Sequence, residues 1–440
     1  MDKVESGEIL DLVLPYGAES VHVRIPKANL VAVATPRELE SHADPGNLVR
    51  RALREPIDAP PCSRLLGRKE RLLILIDDIT RPTPVKLILP ILLEELQVEL
   101  KAVEVTFLVA LGTHRMMTQQ EIEERVGTPI ASKYPVKNHE WNNESALVDI
   151  GTTPNGTPIK VNRLVTDVDT CIGVGNIVPH NIAGWSGGGK ILIPGICGKE
   201  TTFRTHLLAA RSPSTNLGKL VNPVRMEIDE VARRTKLKWV VNTVLDRDGG
   251  VAHVVAGEIR AAHRKGVELA RSIWEVAVPV LADIVVVSSY PADLDFWQAN
   301  KALYVAQRLV KRGGDIVLLT PCPEGLSAVR EHVQVIKALA GVPSRALYHE
   351  AIRQGLHDYA ALTVSDIAVR CRETAWVTVV SEGLTSEMVA LLGFEREHTL
   401  EEALRGAFMR QGEQATVTFV THGGETSPVV GGDQAGPNPQ

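Results

Sequence analysis

No Cys-x-x-Cys pair occurs among the five cysteines, Cys62, Cys171, Cys197, Cys322 and Cys371, which are odd in number and widely scattered. That excludes a disulfide framework and a paired-thiolate metal site, and it fits reduced thiols in a cytosolic compartment. Cys171 reads as core inside an apolar strand, whereas Cys197 stands near a glycine-rich loop. No H-E-x-x-H helix is present either, so the common zinc-hydrolase ligand set is missing. No run reaches the ~18 apolar residues of a membrane span, and MDKVESGEIL lacks the basic-then-apolar layout of a secretory signal. A cytoplasmic protein without membrane partners is expected. A basic excess is lacking too: 48 Lys and Arg face 53 Asp and Glu, for a net charge of −5, which argues against nucleic acid as a partner. Small anionic substrates stay within range, because a local Arg and Lys cluster needs no global excess. No 20–50-residue repeat appears, which removes solenoids and propellers.

What is there is ordinary globular composition, 44% hydrophobic and 23% charged, spread over 440 residues. That length exceeds what one core usually serves and predicts two domains. Apolar runs recur, each followed by a polar or glycine-containing turn and then a helix-like segment, the pattern of an α/β protein with mainly parallel sheets. RLLILI at 71–76 runs into DDITRPTP, VTFLVAL at 105–111 into GTHRMMT, and CIGVGN at 171–176 into IVPHNIAGWSGGGK. Reactive side chains thus collect at strand carboxyl ends, where open α/β sheets place ligands. A long amphipathic helix over 257–277 marks the domain boundary near its end. The expected organisation is residues 1–275 as a first catalytic α/β domain and 280–412 as a second. Residues 413–425 read as a possible strand returning to the first domain, and 426–440, rich in Gly and Pro, as a disordered tail.

Gly184 to Lys190 fits the G-x-x-x-x-G-K opening of a phosphate loop, but Ile191 stands where a Ser or Thr would coordinate magnesium. A nucleotide triphosphatase is therefore disfavoured. Lys190 is left as a point charge for phosphate or as a nucleophile with a depressed pKa that forms a covalent adduct. Asp78 and Arg81 sit in a proline-stiffened turn; Asp78 suits a helix cap near Pro82, and Arg81 suits bidentate capture of a carboxylate. His114 and His180 both follow apolar strands, an arrangement that serves a reaction needing an acid and a base near neutral pH. His206 lies inside a predicted helix, where it is either a packed histidine or a metal ligand; alone it cannot hold a metal, so most donors would have to come from outside the chain. Gln298 and Lys301, three residues apart, share one helix face in the second domain.

DDITRPTP, GTHR, PHNIAGWSGGGK, ILIPGI followed by ETTFRTH, and DFWQANKA, in this order, resemble the lactate racemase family of nickel-pincer-nucleotide enzymes. The resemblance implies two α/β domains with the active site in a cleft between them and racemisation or epimerisation of a 2-hydroxy acid at C2. It implies hydride transfer to and from a pyridinium-3-thioamide-5-thiocarboxylic acid mononucleotide carrying nickel, through a transient 2-oxo acid. On this resemblance Lys190 is the covalent link, His206 the nickel ligand, and His114 and His180 the acid–base pair. Arg81, Gln298 and Lys301 become substrate ligands, while Asp78 and the turn Gly187, Gly188 and Gly189 belong to the cofactor site. Proteins that synthesise the cofactor are implied as maturation partners. Asn181, Trp185 and Thr205 depart from residues frequent in the family; changes at 181 and 185 lie close to the catalytic loop, where they would reshape the pocket, which leaves a larger polyhydroxy acid as the alternative substrate. A non-catalytic nucleotide- or cofactor-binding protein is the alternative class.

Overall fold

The computed structural model describes residues 8–38, 43–210 and 215–431. The chain divides into two compact units, one of residues 37–273 and the other uniting the segment up to Pro36 with everything from Trp274 onward. Among the described residues no helix is long and apolar enough to cross a membrane.

The unit of residues 37–273 is built on a six-stranded sheet in the order Val251–Gly257, Leu237–Leu245, Thr170–Asn176, Arg71–Ile76, Glu104–Val109 and Val136–Asn138. All neighbours are parallel except the first pair. The central strand shows why its sequence is a continuous apolar run. Leu72, Ile74 and Ile76 enter one core with Ile88, Leu89 and Leu92, while Leu73 and Leu75 enter another with Leu192, Ile193 and Val231. Both faces are covered, so neither alternate position is polar. From Arg71–Ile76 the chain adds strands on one side, then returns to lay Thr170–Asn176 on the other. The strand order therefore reverses between these two neighbours, and their carboxyl ends flank the crevice where such sheets bind ligands.

The other unit carries a fully parallel six-stranded sheet, in the order Glu395–Glu397, Trp376–Val380, Val310–Leu319, Ala282–Ser288, Val417–Val420 and Leu30–Ala34. The antiparallel hairpin Ile9–Tyr16 and Glu19–Pro26 delivers Leu14, Val23 and Ile25 into the same core as Ile284 and Phe419.

Three expectations change here. The first 36 residues do not belong with the segment that follows them, and Val417–Val420 joins Ala282–Ser288 rather than returning to the other sheet. Strand periodicity identifies a buried strand but not its partner. The tail is ordered at its start, since Ser427–Val430 pairs in parallel with Glu275–Val278 and Gly431 N–H reaches Val278 at 2.8 Å. This pairing also ends the long helix, which runs Ile259–Trp274, capped at its start by Glu258 accepting from the amides of Arg260 and Ala261. Residues 432–440 lie outside the described residues.

Candidate active site

After Ile76 the chain turns through Asp77 and Asp78, both buried. Arg125, from the helix Gln119–Val126, clasps this turn: its guanidinium pairs with the Asp77 carboxylate and also donates to the carbonyls of Asp77 at 3.1 Å and Arg81 at 2.9 Å. Asp78 caps no helix, because the next one, Val85–Glu95, begins only after Pro84. Instead its Oδ1 accepts from Thr80 N at 3.1 Å, and Oδ2 lies 2.6 Å from His114 Nδ1. Burial pushes the Asp78 carboxyl up, yet His114 and Arg81 together hold it well below the usual range. An ionised carboxylate only accepts, so His114 Nδ1–H donates to it, and a ring carrying one proton keeps its lone pair on Nε2. Arg115, beside it, is taken up by Glu121 at 2.7 Å.

His180 presents the other tautomer. It sits in a tight hairpin, Pro179–His180 against Gly184–Trp185, and its Nδ1 accepts from the amides of Ile182 at 3.1 Å and Ala183 at 3.3 Å. The neutral ring therefore holds its proton on Nε2.

The glycine turn follows. Gly187 and Gly188 have φ of +78° and +58°, in the left-handed region that favours glycine. A Cβ on Gly187 would lie 2.5 Å from Ile177, one on Gly188 2.9 Å from His263, and one on Gly189 3.1 Å from Ile228 and Ala232. The glycines thus answer to protein packing, and Gly188 N–H is engaged by Asn242 Oδ1 at 2.8 Å. What they place is Lys190, on the short turn Gly188–Ile191. Burial, followed by the charges of Arg81 and Arg225, pushes the Lys190 ammonium down to about 7 against the opposing pull of Asp78 and Asp77. No described residue hydrogen-bonds its Nζ.

His206 projects from the helix Lys199–Ala210 with Nδ1 2.8 Å from the Thr202 carbonyl one turn back. Nδ1–H donates there, so Nε2 offers a lone pair. Burial first, then the Lys190 and His114 charges, push this imidazole down to about 4, so it is neutral at pH 7. Electrostatic coupling thus links Asp78, Arg81, His114, Lys190 and His206 within one unit. Gln298 and Lys301 lie in the other unit, on the helix Phe296–Gln307, where Lys301 Nζ donates to Gln298 Oε1 at 2.7 Å.

Among the described residues no three His, Cys, Asp or Glu side chains converge to hold a metal ion. One neutral imidazole and one amine without a protein partner nevertheless suit a group that brings its own metal donors and is held covalently. The fit is a property of the donor set. Cys197 takes no part: it is buried, its thiol points to the Leu192 carbonyl at 3.3 Å, and burial pushes its pKa up. Trp185 and Thr205 are likewise buried, with Trp185 Nε1 donating to the Gly218 carbonyl and Thr205 Oγ1 to that of Thr202. Sequence reasoning missed Arg125, Arg225, His263 and Asn242. The only local signal is the Asn222-Pro223 helix start, which puts Arg225 in the first turn of Pro223–Arg233.

Residues 16–218 match the family described as Lactate racemase N-terminal domain, and residues 278–426 match Lactate racemase C-terminal domain. A lactate racemase of Thermoanaerobacterium thermosaccharolyticum is 30% identical over 322 residues, covering 72% of this chain and 75% of that protein. Another, from Lactiplantibacillus plantarum, is 28% identical over 421 residues, 93% of this chain and 97% of its own. The solved structure of the lactate racemase apoprotein from T. thermosaccharolyticum superposes with a TM-score of 0.86 at 25% identity, covering 96% of this chain and all of that one. A Thermotoga maritima protein shares the fold, with a TM-score of 0.73 at 21% identity, covering 89% of this chain and all of that one.

Proposed function

Because this chain belongs to the lactate racemase family and so to the isomerases, we propose that it inverts a 2-hydroxy acid at C2, with lactate as the substrate of first choice. The observation that carries this reading is the pairing of Lys190, an amine near half-neutral at pH 7 and without a hydrogen-bond partner among the described residues, with the neutral His206. Lys190 would hold a nickel-pincer nucleotide through its amine, and His206 would add a nitrogen ligand to its nickel. Bound there, that group supplies a reversible acceptor for the substrate's C2 hydride. Proteins that make the group are then needed for maturation.

The chain's own residues do the rest. Arg81 binds the substrate carboxylate. His114, with Nδ1–H fixed on Asp78, takes the hydroxyl proton at Nε2. Asp78 is thereby a positioning residue: its charge stabilises the imidazolium that forms. His180 presents Nε2–H as a hydrogen-bond donor to the substrate oxygen in its alternative orientation, and acts as the acid from the imidazolium, formed when Nδ1 leaves the Ile182 and Ala183 amides and takes a proton.

The test is intact-protein mass spectrometry with metal analysis on protein made with and without the cofactor-synthesis machinery, followed by a chiral assay on a panel of 2-hydroxy acids. An added mass on the Lys190 peptide, stoichiometric nickel lost in His206→Ala, and racemisation lost in Lys190→Ala are the expected results. An adduct without inversion of any acid would leave a cofactor-binding protein, and inversion only of longer acids would move the substrate to a polyhydroxy acid.

A further inference from the structure

The lysine turn is gripped from below by buried side chains that come from three other elements. Arg225, on Pro223–Arg233, donates to the Trp185 carbonyl and, at 3.3 Å, to the Gly187 carbonyl. His263, on Ile259–Trp274, lies with Nε2 3.0 Å from the Ser186 carbonyl between them. Asn242, on Leu237–Leu245, accepts from Gly188 N–H, and Ser186 Oγ ties the turn to the Asn176 carbonyl at 2.8 Å. Three consecutive carbonyls and the next amide are therefore all held.

Arg225 is a costly choice for this task. It is 4% exposed, its Nε has no partner, and its hydrogen bonds among the described residues go only to carbonyls. Burying the cation disfavours it, and the Asp229 carboxylate one turn along the same helix opposes this only in part, so the guanidinium stays below its usual range. A neutral amide would avoid that penalty, but its two donors sit on one nitrogen, whereas the guanidinium fork offers five over a longer reach. The glycine at 188 completes the fit, because a Cβ there would meet the His263 ring at 3.0–3.1 Å.

We propose that Arg225, braced by His263 and Asn242, is a positioning residue that holds the Trp185–Gly188 peptides so that the Lys190 amine is presented in one place before any cofactor arrives. It touches neither substrate nor cofactor. The inference rests on Lys190 being the attachment point, as proposed above. It also gives the charge of Arg225 a second consequence, since a cation close to Lys190 favours the amine as free base, the form that can attack an acyl or thioacyl carbon.

The test uses the full-length, cofactor-free protein and compares Arg225→Gln, Arg225→Lys and, as a control for general destabilisation, Leu92→Ala in the opposite core. Hydrogen exchange of the 184–191 peptide and the rate of Lys190 acetylation by an activated ester are read by mass spectrometry. Arg225→Gln should speed exchange in that peptide by tenfold or more and change the Lys190 rate several-fold, with Arg225→Lys intermediate. Leu92→Ala should do neither at the same loss of Tm. Exchange within twofold of the parent in Arg225→Gln, or equal loosening in Leu92→Ala, overturns the proposal. Should Arg225→Gln not fold, His263→Gln, which keeps a donor, against His263→Leu, which does not, decides it by the same exchange readout. The attachment reading fails separately, by absence of a Lys190 adduct in the matured parent protein.

Discussion

Lys190 and the two histidines show how much a single residue's surroundings decide. A lysine held at about 7 in the folded chain and at its ordinary 10.5 when unfolded binds its proton more weakly in the native state. Between these values the unfolded chain holds more protons, so stability from this residue rises with pH from about 7 to 10.5 and the penalty is full below 7. Urea unfolding of the cofactor-free protein should therefore find Lys190→Met more stable than the parent at pH 6, with the gap closing toward pH 10. A gap that is constant with pH would show that the amine is not perturbed. The histidines differ in tautomer. Nitrogen-15 NMR of histidine-labelled protein, assigned with His114→Gln and His180→Gln, should show His114 protonated on Nδ1 and His180 on Nε2. Both replacements should lower racemisation by about 10²–10⁴-fold. For His180 to act as the base, its proton would have to move to Nδ1 and release Ile182 and Ala183. The spectrum of the loaded enzyme reports that directly.

At the scale of elements, the same device occurs twice. Each of the two turns leaves a parallel strand end as bare backbone, and an arginine from a neighbouring helix takes its carbonyls: Arg125 for the turn of Asp78 and Arg81, Arg225 for the turn of Lys190. Turns at strand ends have no sheet ladder to hold them, so their peptide groups need side-chain partners. Removing Arg125 leaves the Asp77 charge buried and unpaired. Arg125→Ala should cost about 3–5 kcal/mol in denaturant unfolding. The double replacement with Asp77→Asn should recover part of that loss, because it removes the stranded charge as well. If the double variant were as unstable as the sum of the singles, the pair would not be the source of the effect.

For the whole molecule, the chain's path matters more than its order. The N-terminal hairpin and the strand Leu30–Ala34 complete the sheet and core of the unit that begins again at Trp274. Deleting residues 1–36 should therefore lower the thermal transition of that unit by 10 °C or more and expose the edge of Val417–Val420, while leaving the transition of residues 37–273 in place. Limited proteolysis during the melt assigns each transition. Loss of the 37–273 transition instead would contradict the division.

The sequence alone determined whatever is local. Apolar runs ending in Asp, Gly or Pro located the strand ends and so the turns of Asp78, His114 and Lys190, because a buried parallel strand must be apolar on both faces and its exit must turn. It also carried the five motifs from which membership of the lactate racemase family was legible, and the failure of the phosphate-loop pattern at Ile191. The tertiary structure decided what lies between distant segments. Which sheet received 30–34 and 417–420, the ordering of 427–430, and the grip of Arg125, Asn242, Arg225 and His263 on turns 38 to 77 residues away follow from packing between elements. Periodicity tells a residue which face it is on; only the folded chain says what that face meets, and there the histidine tautomers and the free amine of Lys190 were set.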